Sequence, residues 1–318
     1  MIKTFARVFL SRSTSCALPA TVTLTQTGSY FANVGEMTIA ADGTITTKLI
    51  PTHEGMDAGI AAMQTSWVNT VDDMLGEKIA VGDSDFYVSD PATGKRRIRS
   101  GETNLGDFVA DGIYTYFNEV EKLHCDVAIM NGGGIRADVP AGDWTFKTCK
   151  QVSPFGNVAC LMSVTGKQIQ DALEFAARFA GAEGKENGGF LHVAGATYEI
   201  HTDIPNTVLI DDKNVWMGSA TGTPRVQNVR IYNKKTGTYE PLDLNRTYAL
   251  AGMNYTLRNL GDGFAMFDGA ELIKDYVSED YLVMSSYAAM FGGVDANGLP
   301  HLSSANSPLA DYPGYLLN

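Results

Sequence analysis

From Thr21 to Pro51 the chain reads "TVTLTQTGSYFANVGEMTIAADGTITTKLIP", with apolar and polar positions alternating around Asn33 and around an Asp42-Gly43 turn. Alternation at period two broken by such a turn predicts hairpin strands. The pattern then changes. In "EGMDAGIAAMQTSWVNTVDDMLGEKI", Ile60, Met63, Trp67, Val71, Met74 and Leu75 recur at steps of three and four, which predicts a long amphipathic helix.

Beyond it, "IAVGDSDFYV" reads as a strand and "PATGKRRIRSG" as a polar loop carrying Lys95, Arg96, Arg97 and Arg99. "ETNLGDFVADGIYTYFNEV" places Leu105, Phe108, Val109, Gly112 and Tyr116 on one helical stripe, with Thr103 or Asn104 to cap it. The apolar run "DVAIMN" follows, so a βαβ-like unit is expected here. Thr165 and Gln168 form a capping pair ahead of a second stripe, Ile169, Leu173, Ala176 and Phe179. "GGFLHVAGATYEIHT", "NVRIYN" and "TYALAGMNY" read as strands. Strands outnumber a few long helices in mixed order, so the expected class is α/β or α+β, a layered sheet with helices. No internal repeat is visible.

The chain has 318 residues, enough for one large domain or two smaller ones, and its apolar fraction of 44% contains no run long enough to span a bilayer. Its net charge of -12, with no basic block to offset it locally, argues against a nucleic-acid partner and favours small-molecule ligands. In so acidic a chain the cations at 95–99 are either a solvated face or a device for gathering an anion. Cys125, Cys149 and Cys160 flank apolar runs and read as buried small hydrophobes, although a disulfide stays open; with Cys16 they lack zinc-site spacing. The first twenty residues are basic, hydroxylated and free of acid, and their apolar run is too short for a secretory signal, so they read as an unassigned leader.

Three short stretches suggest chemistry. In "NGGGIR", Gly132, Gly133 and Gly134 follow a buried strand and lead to Arg136. They are either a plain tight turn or a place where backbone N–H groups approach a ligand or nest an anion. The loop is neither a Walker A motif nor a dinucleotide fingerprint. "SPFGN" fixes Phe155 between a proline and a glycine, as a stacking face for a base or sugar or as an ordinary core ring. "GDGF" sets Asp262 between glycines, where it either accepts from ribose hydroxyls or simply makes a turn.

Taken in order, "ETNLGDFVAD", "NGGGIRADVPAGD", "SPFGNVACLMSVTGKQIQDALE", "GGFLHVAG" and "NYTLRNLGDGFAMF" closely resemble the C-terminal domain of the 5'-nucleotidase family over residues 79 to 267. The resemblance implies that 21–53 is the last hairpin of the family's N-terminal catalytic domain, 54–78 the interdomain helix and 79–300 the nucleotide-recognition domain. The leader 1–20 and the tail 301–318 are left unassigned. It also implies that Arg99 and Arg136 contact the phosphate or ribose, and that Asn131 and Asn157 bond the base or sugar. Phe155 would stack on the base, Gly133 and Gly189 would line the pocket, and Asp262 would hold the ribose. Two positions depart from the family pattern. Thr256 stands where a second aromatic usually clamps the base, with Tyr255 beside it as the nominated substrate-binding residue, and Leu260 replaces the first glycine of a Gly-Gly-Asp-Gly turn. On a strand, Tyr255 would face the opposite side from Thr256.

The family hydrolyses phosphate esters with two divalent metals held by clustered ligands on its N-terminal domain, and the D-x-H, G-D-x-x-D, G-N-H-E and G-H-x-H motifs of that domain are not found in this sequence. No catalytic residue, metal ligand or cofactor is therefore nominated in this chain. The expectation is a nucleotide- or nucleoside-binding recognition domain of a 5'-nucleotidase-type phosphohydrolase, working outside the cytoplasm as its family does, with a separately encoded metallophosphoesterase domain as a candidate partner. The alternatives are a stand-alone binding protein and a structural module with an unused pocket.

Overall fold

The structure, a computed structural model, describes residues 25–28, 32–52, 57–313, 315 and 317; the leader 1–20 lies outside them. The chain divides into two compact units, residues 1–69 and 70–318.

In the first unit, β1 (Asn33–Ile39) and β2 (Ile45–Pro51) pair antiparallel from Asn33↔Pro51 to Ile39↔Ile45. Gly43, at φ +84, turns the chain, and Asp42 Oδ1 accepts from the Thr44 N–H at 2.9 Å. Helix α1 (Ala58–Leu75) crosses the division and is capped by Asp57, whose Oδ1 accepts from the N–H groups of Gly59 and Ile60. The helix exists, but its apolar stripe is not core: no residue of α1 is buried, and Trp67 and Met74 are 65% and 73% exposed.

The second unit contains the strands β3 (Lys78–Gly82), β4 (Val127–Asn131), β5 (Gly142–Thr145), β6 (Ala159–Thr165), β7 (Leu191–Ala194), β8 (Ala196–Ile200), β9 (Leu209–Ile210), β10 (Trp216–Gly218), β11 (Val226–Asn233), β12 (Thr238–Pro241), β13 (Thr247–Met253), β14 (Glu271–Lys274) and β15 (His301–Leu302). Its helices are α2 (Asn104–Thr115), α3 (Phe146–Val152), α4 (Gly166–Ala176) and α5 (Asp280–Ala288). The central sheet runs β14-β6-β13-β4-β7; only β13 and β4 are parallel in it. Smaller sheets are β15-β3-β5, β12-β11-β8 and the pair β10-β9.

Side-chain alternation along β4 explains the layering. Ala128 and Met130 enter one core, with Phe108, Trp144 and Tyr287; Val127 and Ile129 enter the other, with Leu173 and Phe175 of α4. Both faces of the central sheet are thus covered, as a layered α/β fold requires. Both N-terminal caps form: Thr103 Oγ1 accepts from the Gly106 N–H at 3.1 Å, and Thr165 and Gln168 make a reciprocal capping box.

Two expectations are corrected, and the unassigned tail finds its place. β3 and β4 lie in different sheets, so the anticipated βαβ unit does not form; β4 takes its parallel partner from β13, far along the chain. Residues 188–202 are not one strand: Gly195, at φ +76, breaks the run into β7 and β8, and any Cβ there would come within 2.4 Å of the Asp126 carbonyl oxygen. The tail is part of the body, because β15 pairs with β3 and Leu302, Leu309 and Leu317 are buried in the first core. Cys125, Cys149 and Cys160 are buried free thiols, and burial pushes Cys149 up to about 12.

Candidate functional site

The carboxyl ends of parallel strands are where open α/β sheets commonly bind ligands. β4 and β13 both end at one such edge, and the segments that follow them supply Gly133, Gly134, Tyr255 and Asp262 to a cleft of about 600 Å³. It is lined by Arg99, Asn131, Gly133, Gly134, Phe155, Asn157, Gly188, Tyr255 and Asp262.

The glycine triplet after β4 is a single 3-10 turn. Two of its three amides are taken by the protein itself: Gly132 N–H donates to Phe190 O and Gly133 N–H to Gly188 O, each at 2.7 Å. Close packing is what demands glycine, since a Cβ on Gly132 would lie 2.0 Å from the Ile98 carbonyl oxygen. The turn therefore binds the Ile98–Arg99 segment to the end of β4.

Asp262 sits at φ 54 in the turn after β13, following Leu260, also at φ 54. Leu260 thus holds a left-handed conformation that glycine adopts without strain. Asn131 Nδ2 donates to Asp262 Oδ2 and the Tyr255 hydroxyl to Asp262 Oδ1, both at 3.0 Å. Arg99 and Arg178 lie in the field of this carboxylate. Burial lowers the Arg178 guanidinium to about 10, Asp262 opposing the shift; it donates to Phe175 O at 2.7 Å and lies 3.9 Å from the centroid of the Phe175 ring.

Arg99 is largely buried, and its Nε has no partner among the described residues. Burial and the nearby Arg96 and Arg136 lower its pKa, and Glu186 lies 4.0 Å from its Nη1. Phe155 is 59% exposed, held between Pro154 and Gly156, the latter at φ +66; it is not a core ring. Arg136 is not among the lining residues, but its guanidinium carbon stands 5.7 Å from the Phe155 ring centroid. Asn157 is clamped through its backbone, its N–H donating to Asp280 Oδ2 at 3.1 Å and its carbonyl accepting from Asp280 N–H at 2.9 Å. Burial raises Asp280 to about 6.

Gly188 lines the cleft, whereas Gly189 stands behind it, where a Cβ would meet Phe264 at 3.0 Å and Asp262 Cβ at 3.2 Å. Tyr255 is not on a strand: it belongs to a turn in which Thr256 and Leu257 N–H groups donate to Met253 O, so Thr256 is buried and Tyr255 faces the cleft. Sequence reasoning missed Gly188, Arg178 and Asn187. Asn187 is a buried hub whose N–H donates to Arg99 O, whose Nδ2 donates to Ala176 O and whose Oδ1 accepts from Gly189 N–H. Its position before two glycines in "ENGGF" was the available signal.

Among the described residues, no three His, Cys, Asp or Glu side chains group as metal ligands. His124, His201 and His301 each pair with one carboxylate, and His192 is buried, so these residues do not fit a dimetal centre.

The second unit is thus a layered α/β fold in which Arg99, an exposed ring at Phe155 and an anchored carboxylate at Asp262 line one cleft. The sequence profile described as "5'-nucleotidase, C-terminal domain" matches residues 80–269, and the chain belongs to the 5'-nucleotidase family through that domain. It is 30% identical over 279 residues to the trifunctional nucleotide phosphoesterase protein YfkN of Bacillus subtilis (strain 168), covering 84% of this chain and 17% of that protein. It is 33% identical over 160 residues to the NAD 5'-nucleotidase of Haemophilus influenzae, covering 50% of this chain and 23% of that protein. The chain thus spans less than a quarter of these curated relatives. The solved 5'-nucleotidase precursor from Thermus thermophilus shares 25% identity at a TM-score of 0.59, over 89% of this chain and 52% of its own.

Proposed function

We propose that this chain is the nucleotide-recognition part of a 5'-nucleotidase-type phosphohydrolase acting in nucleotide catabolism. It binds a nucleoside monophosphate or nucleoside, with Phe155 stacking on the base, Asp262 accepting from the ribose hydroxyls and Arg99 and Arg136 meeting the phosphate. The observation that carries this reading is convergence: five separated stretches, around 99, 131–134, 155–157, 188 and 255–262, line one cleft with groups suited to each part of a nucleotide. We assign no hydrolytic step to these residues; the two-metal chemistry implied by the family belongs to a metallophosphoesterase domain that this one serves. The exposed apolar residues of the first unit, Val34, Met37, Ile39, Ile60, Met63 and Trp67, are surface that such a domain would cover. On family grounds the protein works outside the cytoplasm; among the described residues no helix is long and apolar enough to cross a membrane.

The test is calorimetric titration of the full chain with AMP, adenosine and UMP, with phosphate release followed in the presence of divalent metals. Binding without release supports the reading. Absence of binding overturns it, and metal-dependent release overturns its non-hydrolytic part.

A further inference from the structure

Tyr255 occupies the place next to the family's second base-clamping position, yet its surroundings commit it to a different task. The turn after β13 turns Thr256 inward and presents Tyr255, 37% exposed, to the cleft. Its ring packs directly on Gly261: a Cβ there would lie 2.5 Å from Tyr255 Cζ and 2.6 Å from Cε1, and the Gly261 N–H donates to Tyr255 O at 2.7 Å. Laid against the loop this way, the hydroxyl donates to Asp262 Oδ1 at 3.0 Å. Burial and the Asp262 charge raise the pKa of the phenol, so it stays a donor at neutral pH.

The Asp262 carboxylate therefore receives one protein donor on each oxygen, Tyr255 on Oδ1 and Asn131 on Oδ2. An aspartate carboxylate otherwise turns broadly about its last torsion. Held at both oxygens, it presents its remaining lone pairs at a fixed spacing and direction. Two neighbouring hydroxyls on a ligand profit from that fixed pair; a single hydroxyl needs only one of them.

We infer that Tyr255 is a specificity-determining residue for the sugar, locking Asp262 so that the cleft selects a ribose with free 2'- and 3'-hydroxyls over a 2'-deoxyribose, and that it has no part in choosing the base. This rests on the proposed reading that Asp262 receives the sugar. A site built to bond a hydroxyl discriminates strongly against the analogue that lacks it.

The test uses the full chain and its Tyr255→Phe variant, which keeps the ring on Gly261 and removes only the hydroxyl, with a thermal melt to verify folding. Adenosine, 2'-deoxyadenosine and uridine are titrated into each. The expected result is a loss of about tenfold for adenosine and uridine alike, with 2'-deoxyadenosine changed by less than about twofold. The inference is overturned if the ribose-to-deoxyribose ratio is the same in both proteins, or if adenosine and uridine affinities move apart, which would make Tyr255 a stacking wall. If the unmodified chain binds none of the three, the nucleotide-recognition reading falls and this inference with it; unchanged ratios in a chain that does bind overturn the inference alone.

Discussion

Asn131 and Asp262, 131 positions apart in sequence, are joined by a hydrogen bond of 3.0 Å from the amide nitrogen to Oδ2. The contact ties the end of β4 to the turn after β13, so the shape of the cleft depends on the parallel pairing of those two strands. Asn131→Ala leaves Oδ2 without its donor, and nucleoside affinity is expected to fall about tenfold in a calorimetric titration. Asn131→Asp is the sharper variant, because it sets two carboxylates within hydrogen-bond distance and raises the pKa of one of them. Its binding should be better at about pH 5, where the pair shares a proton, than at about pH 8. Equal affinity at the two values would show that residue 131 does not act through Asp262.

Phe155 offers a second test because its exposure separates binding from stability. A ring 59% exposed contributes little to the core, so Phe155→Ala should leave the melting temperature within a degree or two of wild type. Removing a stacking face costs about 1–3 kcal/mol of nucleotide affinity. A large drop in melting temperature would mean that the ring is structural.

Arg136 should affect the two kinds of ligand differently. Arg136 is exposed, and its guanidinium makes only a long hydrogen bond, Nη1 to Gly133 O at 3.4 Å, and a 5.7 Å approach to the exposed Phe155 ring, so Arg136→Ala should fold normally. It is expected to weaken AMP about tenfold while leaving adenosine nearly unchanged, in line with a charge-assisted contact to phosphate. Equal losses for both ligands would sink the phosphate assignment.

How much of this could be read from sequence differs from residue to residue, for physical reasons. Phe155 was legible because its neighbours Pro154 and Gly156 restrict the backbone locally, and Thr103 and Thr165 because capping is a local hydrogen bond. Tyr255 was nominated from its place beside position 256, but the alternation rule applied to it holds on a strand and not in the turn where it lies. The glycine triplet could not reveal which carbonyl it packs against, since Ile98 lies in a different segment. The stripe on α1 showed helical periodicity correctly, but periodicity reports an apolar face and not whether anything in the chain covers it. The tail resisted because Leu302, Leu309 and Leu317 enter the core from a stretch containing only a two-residue strand and one short 3-10 turn.

His192 links the fold to the site. Its Nε2 lies 2.9 Å from Ile98 O, beside Arg99, and its ring packs so tightly on Gly106 that a Cβ there would fall 2.0 Å from Nδ1. Gly106→Ala should therefore destabilise the protein by about 1–3 kcal/mol or more by overpacking, and weaken AMP binding by displacing the Ile98–Arg99 segment. Urea denaturation and titration of the same variant test both parts. Wild-type stability with unchanged binding would mean that the ring moves aside freely.

Asp111 gives the fold a pH dependence that a single substitution isolates. It is buried in α2, its Oδ2 has no partner among the described residues, and the titratable groups around it are the Asp107 carboxyl and the hydroxyls of Tyr239, Tyr287, Tyr312 and Tyr315, of which Tyr315 acts against the upward shift. Burial raises its pKa from 3.8 to about 8. Between those values the folded chain keeps a proton that the unfolded chain releases, so this group's contribution to stability is complete below about pH 4 and is lost as pH rises toward 8. The slope contributed is at most about 1.4 kcal/mol per pH unit. Depressed to about 4 by burial, His192 acts in the opposite sense at the acid end, its contribution being lost as pH falls below about 6.5. Both trends are present in wild type, but only the first is removed by Asp111→Asn, an isosteric change that cannot ionise. The stability of Asp111→Asn relative to wild type, from urea midpoints, should therefore increase steadily from about pH 5 to about pH 8 and level off above it. A difference that stays constant over that range would mean that Asp111 is already ionised in the folded protein, the Tyr315 hydroxyl outweighing burial.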